Sequence, residues 1–191
     1  MCSLKKYALI GVAALTAFTI SCTDKDDEEG GDDNKVIVPD GYDNQKPITL
    51  GGKSSSEGSF LDADGSITVY KIGNAPKGQI DLVFDGKNLF TVAYYDTPNG
   101  ASALGNAQLS GAEDVALLWK YTSSDEKPET VVKFIEDRYD AGEVTGGAAN
   151  YAPKNGDKFA VFTTDGFFAL VKVGTASEDA LTGWVGNFDT K

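Results

Sequence analysis

The chain has 191 residues, a formal net charge of −12 at pH 7 and no histidine. Its length suits a single domain of ordinary size, and its negative charge disfavours nucleic acid as a partner. The lack of histidine excludes Ser-His-Asp and Cys-His catalysis by this chain, histidine-ligated zinc and bis-histidine haem binding. Carboxylate chemistry, lysine or serine nucleophiles and oxygen-ligated cations remain. Because the sequence shows no catalytic site built from these groups, we expect a protein that is not an enzyme and uses no cofactor.

The first 22 residues have the pattern of a secretory signal. Two lysines precede the uncharged run YALIGVAALTAFTI at residues 7–20, which is shorter than the roughly 20 apolar residues of a lasting transmembrane helix. The residues that end at Cys22, Thr-Ile-Ser-Cys, resemble a bacterial lipobox with threonine in the usual place of leucine. This resemblance implies that residues 1–21 are removed and that Cys22 carries the lipid. An ordinary signal peptide with an incidental cysteine is the alternative.

An acidic tract follows Cys22, with the sequence TDKDDEEGGDD at residues 23–33. Like charges and glycines cannot bury apolar surface, so we expect residues 22–46 to form a flexible, lipidated linker. The tract also resembles the surface-export signal of lipoproteins from Bacteroides-like Gram-negative bacteria. That resemblance implies a lipid anchor in the bacterial outer membrane, a domain that faces the cell exterior, and an export signal made of Lys25, Asp26, Asp27, Glu28 and Glu29.

Residues 47–191 are predicted to form one β-rich domain. Short runs of β-branched and aromatic residues, separated by Gly, Asp and Asn, are typical of antiparallel strands. Such runs occupy residues 48–50, 58–61, 66–72 and 79–84. The predicted fold class is α+β, mostly antiparallel sheet in a sandwich-like arrangement with one or two short helices, and an all-β fold is the alternative.

Two hairpins are predicted from Asp-Gly pairs, which supply the positive φ angles of a tight turn. The first hairpin spans residues 80–95 around Asp85-Gly86, and the second spans residues 158–173 around Asp165-Gly166. In the second hairpin, alternation places Phe159 and Val161 on one face of the strand and their neighbours on the other. A closing strand is expected at residues 184–188.

One helix is predicted from Pro128, because proline suits the first turn and Gly142 lies past the end. Val131, Ile135 and Tyr139 recur at helical spacing and should share its apolar face. Residues 110–121 fit either a helix that starts with a capping box or a strand. Residues 142–157 are predicted to be a long loop, which makes them a favoured place for a ligand contact.

The motif Asp62-Ala63-Asp64-Gly65 resembles the start of a calcium-binding loop. A complete loop of that kind needs a glutamate at the twelfth position, and Gly73 stands there. A turn between strands is therefore the preferred interpretation. A weak calcium site at this motif is left open.

Three aromatic residues are candidate ligand contacts, because an exposed ring beside carboxylates can stack on a sugar. They are Tyr151, Trp119 and Trp184. Burial in the core is the preferred interpretation for the two tryptophans, and for Tyr151 burial and ligand contact are equally favoured. Several stretches of the domain, among them ITLGGKSSSEGSFLDADG and KFAVFTTDGFFALVKV, resemble small surface lipoproteins of Bacteroides-like bacteria.

The expected function is a non-catalytic binding or accessory module with a glycan or protein ligand. Contact with the membrane would come from the N-terminal lipid on Cys22. A structural component of an envelope complex is one alternative, and a carboxylate-dependent hydrolase is the other.

Overall fold

The protein is described by a computed structural model over residues 39–52, 58–71, 74–76, 78–91, 116–143 and 150–189. All of these residues belong to one compact unit, Asp33–Lys191. The predicted lipidation site at Cys22 and the five export residues lie outside the described residues. Within the described part, no helix has the length and apolar character that crossing a membrane requires.

The first of two antiparallel sheets contains the longest strands. Within the described residues, its five strands are β1 (Asn44–Gly51), β6 (Leu117–Lys120), β8 (Lys158–Phe162), β9 (Phe168–Ala176) and β10 (Ala180–Phe188). Their order in the sheet is β1-β10-β9-β8-β6, so β1 lies beside β10 at one edge. Strand β1 begins before the predicted domain boundary at residue 47, and Tyr42 is already buried.

The second sheet also has five strands, in the order β3-β2-β4-β5-β7. They are β2 (Phe60–Asp62), β3 (Thr68–Tyr70), β4 (Leu82–Phe84), β5 (Leu89–Thr91) and β7 (Asn150–Tyr151). Strand β7 lies within the segment predicted to be a loop over residues 142–157, and it pairs with β5. Part of that prediction was therefore wrong, because pairing with a strand distant in sequence converts these two residues to sheet.

Residues from both sheets share one apolar cluster. Phe159, Val161 and Val171 contribute from the first sheet, and Leu61 and Phe84 contribute from the second. All five are buried, and burial of such a side chain stabilises the fold by roughly 1.5–3 kcal/mol. The predicted alternation along residues 158–162 is confirmed, because Ala160 belongs to a different cluster on the opposite face.

The helix α1 (Pro128–Asp140) covers that opposite face of the first sheet. Val131 and Ile135 are buried there against Trp119, Leu170 and other residues of the same cluster. Pro128 occupies the first turn as predicted. The helix makes the fold α+β and contradicts the all-β alternative.

The second predicted hairpin is confirmed, and the first is confirmed over residues 82–91, while its predicted residues 92–95 lie outside the described residues. Phe84 pairs with Leu89 across the first turn, where Gly86 has a φ of +93°. Phe162 pairs with Phe168 across the second turn, where Gly166 has a φ of +84°. The positive φ angles are the conformations that glycine adopts without a steric penalty.

The ambiguous segment at residues 110–121 forms strand β6 over Leu117–Lys120, while residues 110–115 lie outside the described residues. The strand interpretation is confirmed for Leu117–Lys120 and the helix interpretation is wrong there. Pairing with β8 decides this outcome, because it provides hydrogen-bond partners for the backbone N–H and C=O groups of the strand. The alternation of a strand then places Leu118 and Trp119 in the two apolar clusters on opposite faces of the sheet. Local capping signals cannot show that a partner strand is available.

Candidate functional site

A groove of about 520 Å³ lies beside the C-terminal half of α1. Its lining consists of Ile135, Glu136, Tyr139, Asp140, Phe162 and Phe168. The first four residues share one face of α1, because positions three and four apart are neighbours on a helix. The last two come from β8 and β9, so the groove lies between the helix and the end of one hairpin.

Tyr139 is the exposed aromatic residue of this groove. Ile135, one turn earlier on α1, is 1% exposed, whereas Tyr139 is 54% exposed. The buried face of α1 therefore ends at Ile135, and the prediction that Tyr139 would share that face is only partly correct. Among the described residues, Tyr139 is the exposed large hydrophobic side chain.

A row of aromatic rings connects Tyr139 with the core. The ring centroids of Tyr139 and Phe162 are 6.3 Å apart, and those of Phe162 and Phe168 are 5.3 Å apart. Phe168 in turn stacks on Phe188 at 5.8 Å with an interplanar angle of 11°. Contacts in this range are favourable for aromatic pairs. The floor of the groove is therefore a packed aromatic surface supported by the core.

The wall of the groove carries two exposed carboxylates, Glu136 and Asp140. The cations of α1 form ion pairs elsewhere: Lys133 contacts Asp137 at 2.9 Å, and Arg138 contacts Glu143. No salt bridge within the described residues involves the two groove carboxylates. The groove thus combines an exposed ring with hydrogen-bond acceptors that carry negative charge.

The aromatic residues predicted from the sequence to contact a ligand lie outside the groove lining. Trp119 is 4% exposed and Trp184 is 2% exposed, and both belong to the core cluster beneath α1. The Trp119 indole N–H donates to the Glu143 carbonyl at 3.0 Å. Neither tryptophan presents a ring face on which a sugar could stack. The structure therefore places both in the core, as the preferred interpretation had it, and not at a ligand contact.

Tyr151 occupies β7 and is half-buried. Its ring centroid is 5.3 Å from that of Phe159, which places it against the cluster shared by the two sheets. It does not line the groove. The sequence singled out Tyr151 for its position in an apparent loop and assigned Tyr139 to the buried helix face, so it could not identify which ring is exposed.

A second feature is a cluster of carboxylates at one end of the second sheet. Asp62 ends β2, Asp64 lies in the following turn, and Asp81 immediately precedes β4. One carboxylate oxygen from each of the three lies within 4.8 Å of the others. The Asp-x-Asp-Gly motif therefore gains a third carboxylate from Asp81, a residue that is distant in sequence. The calcium-loop pattern instead requires an acidic residue at the twelfth position of the motif.

Asp81 is the most enclosed member of this carboxylate cluster. Its side chain is fully buried and accepts hydrogen bonds from the backbone N–H groups of Ala63 and Thr164, each at 2.8 Å. Thr164 belongs to the turn between β8 and β9. Asp81 thus connects the turn after β2 with the β8–β9 turn of the other sheet.

Burial shifts the titration of the cluster. It is the main cause that raises the pKa of Asp81 to about 7, although the amides of Thr164 and Ala63 oppose the shift. Burial, together with the hydrogen bond and charge of Asp62, raises the pKa of Asp64 to about 7. The pKa of Asp62 is also raised, mainly by burial.

The cluster contains the oxygen ligands that hard cations such as Ca²⁺ prefer. Its described members form no salt bridge with lysine or arginine, and the buried Oδ2 atom of Asp64 has no hydrogen-bond partner among the described residues. At neutral pH the group must retain protons, or it must be compensated by a cation. None of the three carboxylates lines the groove.

Comparisons with known proteins bear on the fold. No family model matches the chain, and no curated protein matches it. The crystal structure of a DUF4466 family protein from Parabacteroides merdae is similar, with a TM-score of 0.53 and 14% sequence identity. The match covers 77% of this chain and 54% of that chain, so this chain spans about half the length of that protein. At this identity the similarity concerns the fold alone. The organism of the similar protein, Parabacteroides merdae, is a relative of Bacteroides.

Proposed function

We propose that this chain is a lipid-anchored binding module of a bacterial outer membrane, displayed on the cell exterior, and that it holds its ligand in the groove beside α1. The observation that carries the proposal is the exposed ring of Tyr139 next to two carboxylates that form no ion pair with any described residue. Exposed apolar surface rimmed by polar groups is characteristic of binding sites.

The scaffold of the proposed module is a β-sandwich whose outer face is covered by α1. Support comes from the cluster in which Leu61 and Phe84 of the second sheet join Phe159 and Val171 of the first. Such a scaffold holds the groove on rigid elements, since Phe162 and Phe168 are paired neighbours in one hairpin. A ligand would therefore meet a site that is already formed.

The proposed location depends on the N-terminal sequence. Cys22 would carry the lipid, and the acidic residues behind it would keep the domain away from the bilayer as a solvated tether. The net charge of −12 repels anionic lipid headgroups. Membrane binding would thus depend on acylation, and stable anchoring requires more than a single acyl chain.

The test is ligand capture by the full chain displayed on cells, using glycan and peptide arrays. Tyr139→Ala is expected to reduce capture by about tenfold or more, because the stacking surface is lost. Tyr139→Phe is the matched control and should retain capture, since it keeps the ring. The free energy of unfolding should change by less than about 0.5 kcal/mol in Tyr139→Phe and should fall by about 1 kcal/mol in Tyr139→Ala, which loses the ring contact with Phe162. Equal capture by Tyr139→Ala and the unmodified chain would contradict the proposal.

A further inference from the structure

We propose that the groove beside α1 recognises a cationic peptide segment, with a lysine or arginine side chain lying over Tyr139 between the carboxylates of Glu136 and Asp140. This inference rests on the proposed binding role of the groove and adds the chemical class of the ligand. Three properties of the groove support it, namely its charge, its hydrogen-bonding character and its dimensions.

Charge complementarity is the first argument. The groove wall holds Glu136 and Asp140 on adjacent turns of α1. Lys133 pairs with Asp137, and Arg138 pairs with Glu143, both acids outside the groove lining. The charge of Glu136 also acts on Lys133, but more weakly than that of Asp137. The Arg138 guanidinium also lies 5.2 Å from the ring centroid of Phe134. None of the described residues that line the groove is basic, so the two carboxylates would attract a cation supplied by a ligand.

The hydrogen-bonding character of the lining favours a cation over a neutral sugar. Carboxylates only accept hydrogen bonds, and within the groove lining the phenol of Tyr139 is the side-chain donor. Sugar hydroxyls both donate and accept hydrogen bonds. The acceptor oxygens of a bound glycan would therefore find few donors in the groove. Ammonium and guanidinium groups only donate. Their donors match the acceptors of Glu136 and Asp140.

The aromatic floor suits the remainder of such a side chain. A cation near the face of Tyr139 gains a cation–π interaction, and the alkyl stem of lysine or arginine can cover apolar surface. Phe162, whose ring centroid is 6.3 Å from that of Tyr139, supplies that surface. A volume of about 520 Å³ accommodates a few side chains of an extended segment.

The experiment measures fluorescence anisotropy of labelled peptides with the full chain in a nonionic detergent. Three short peptides alternate leucine with lysine, glutamine or glutamate, and the neutral glucan cellohexaose is the competitor. We expect the lysine peptide to bind about tenfold or more tightly than the other two, and to weaken as salt is added. Cellohexaose should not displace it.

The variant Glu136→Gln/Asp140→Asn should weaken binding of the lysine peptide by about tenfold. Glu129→Gln is the matched control, because Glu129 is an exposed acid of α1 outside the groove lining, and its effect should stay within about twofold. Comparison among variants in the same detergent removes any contribution from peptide bound to micelles. Circular dichroism checks that the helix content of each variant is unchanged.

Equal binding of the lysine and glutamine peptides, or undiminished binding by the double variant, would overturn this inference. So would binding of cellohexaose that is lost in Tyr139→Ala. That last result would preserve the groove as the binding site and replace only the ligand class. Failure of the proposed function is recognised separately, because the Tyr139→Ala variant would then capture array ligands to the same extent as the unmodified chain does.

Discussion

At the residue scale, Gly186 shows how closely the layer beneath α1 is packed. A Cβ atom at this position would lie 2.4 Å from the Trp184 ring and 2.7 Å from Tyr42. Trp184 is 2% exposed, and its ring is held edge-on to Tyr42 at 5.1 Å. Glycine is therefore required here for space.

Gly186→Ala is expected to lower the free energy of unfolding by about 1–3 kcal/mol, because the added methyl group forces the aromatic cluster apart. Denaturant titration measures the loss. A double-variant cycle with Trp184→Phe tests the cause, since the smaller ring removes the indole atoms that the methyl group would meet. Strictly additive effects of the two substitutions would show that contact with the Trp184 indole is not the source of the loss.

Glu126 is a second residue whose role is defined by its contacts. Its carboxylate oxygens pair with Lys158 at 3.0 Å and with Lys172 at 2.8 Å, and all three side chains are largely buried. Burial tends to raise the pKa of Glu126, but hydrogen bonds from Lys172 and Lys158 outweigh it and lower the pKa. The folded state thus favours the charged form.

Glu126→Gln is expected to reduce the free energy of unfolding by about 1–3 kcal/mol, since the largely buried ammonium groups of Lys158 and Lys172 lose the negative charge of Glu126. The control is Glu136→Gln, an exposed acid without an ion-pair partner in the described part of the chain, with an effect below about 0.5 kcal/mol. The stabilisation by Glu126 is present above its unfolded pKa and is lost as pH falls through its lowered folded pKa. Thermal melts in acid measure that loss.

At the scale of elements, the carboxylate cluster connects β2, the residue before β4 and the turn between β8 and β9. We expect the stability of this connection to depend on whether the carboxylates are protonated or are compensated by a cation. Asp64 and Asp81 each have a pKa raised from 3.8 to about 7. A raised pKa means that the folded state binds protons more tightly than the unfolded chain does.

The contribution of these groups to stability should therefore be complete below the unfolded pKa and be lost as pH rises through about 7. We expect the unfolding free energy to fall by an amount on the order of 3 kcal/mol between about pH 4 and pH 8. Asp81→Asn should flatten this dependence. The prediction would be contradicted if the unfolding free energy, measured with a chelator present, rose steadily between about pH 4 and pH 8. Calcium that raises the melting temperature at pH 8 would identify a cation as the partner of the cluster.

How far local sequence predicts an element is clear from α1 and β6. Pro128, the apolar spacing and Gly142 all act within a few residues of one another, and the helix begins at Pro128 as predicted. Leu117–Lys120 is a strand because β8 lies beside it. The backbone pairing that decides this comes from residues about forty positions away, which a local pattern cannot represent.

At the scale of the whole molecule, the prediction concerns the anchor. Cys22→Ala should abolish labelling with radioactive palmitate and release the protein from the membrane, because no other anchor is proposed. Fractionation of cells measures the release. Deletion of residues 24–33, which retains Cys22, should leave the protein lipidated but protected from external protease. A membrane-bound Cys22→Ala variant would contradict the lipoprotein interpretation.

The amino-acid sequence alone determined the features that depend on composition and on residues close to one another along the chain. The lack of histidine restricts the chemistry, the two Asp-Gly turns define the hairpins, and Pro128 starts the helix. These features follow from residue type and from steric limits on neighbouring backbone angles. They require no knowledge of what packs against them.

Only the tertiary structure decided which side chains meet and which face solvent. Asp81 joins Asp62 and Asp64, Trp119 and Trp184 are buried beneath α1, and Tyr139 becomes the exposed ring of the groove. The physical reason is that burial and proximity depend on contacts between distant segments. A pattern along the chain can locate a helical stripe, but the extent of the sheet beneath that stripe determines that its buried face ends at Ile135.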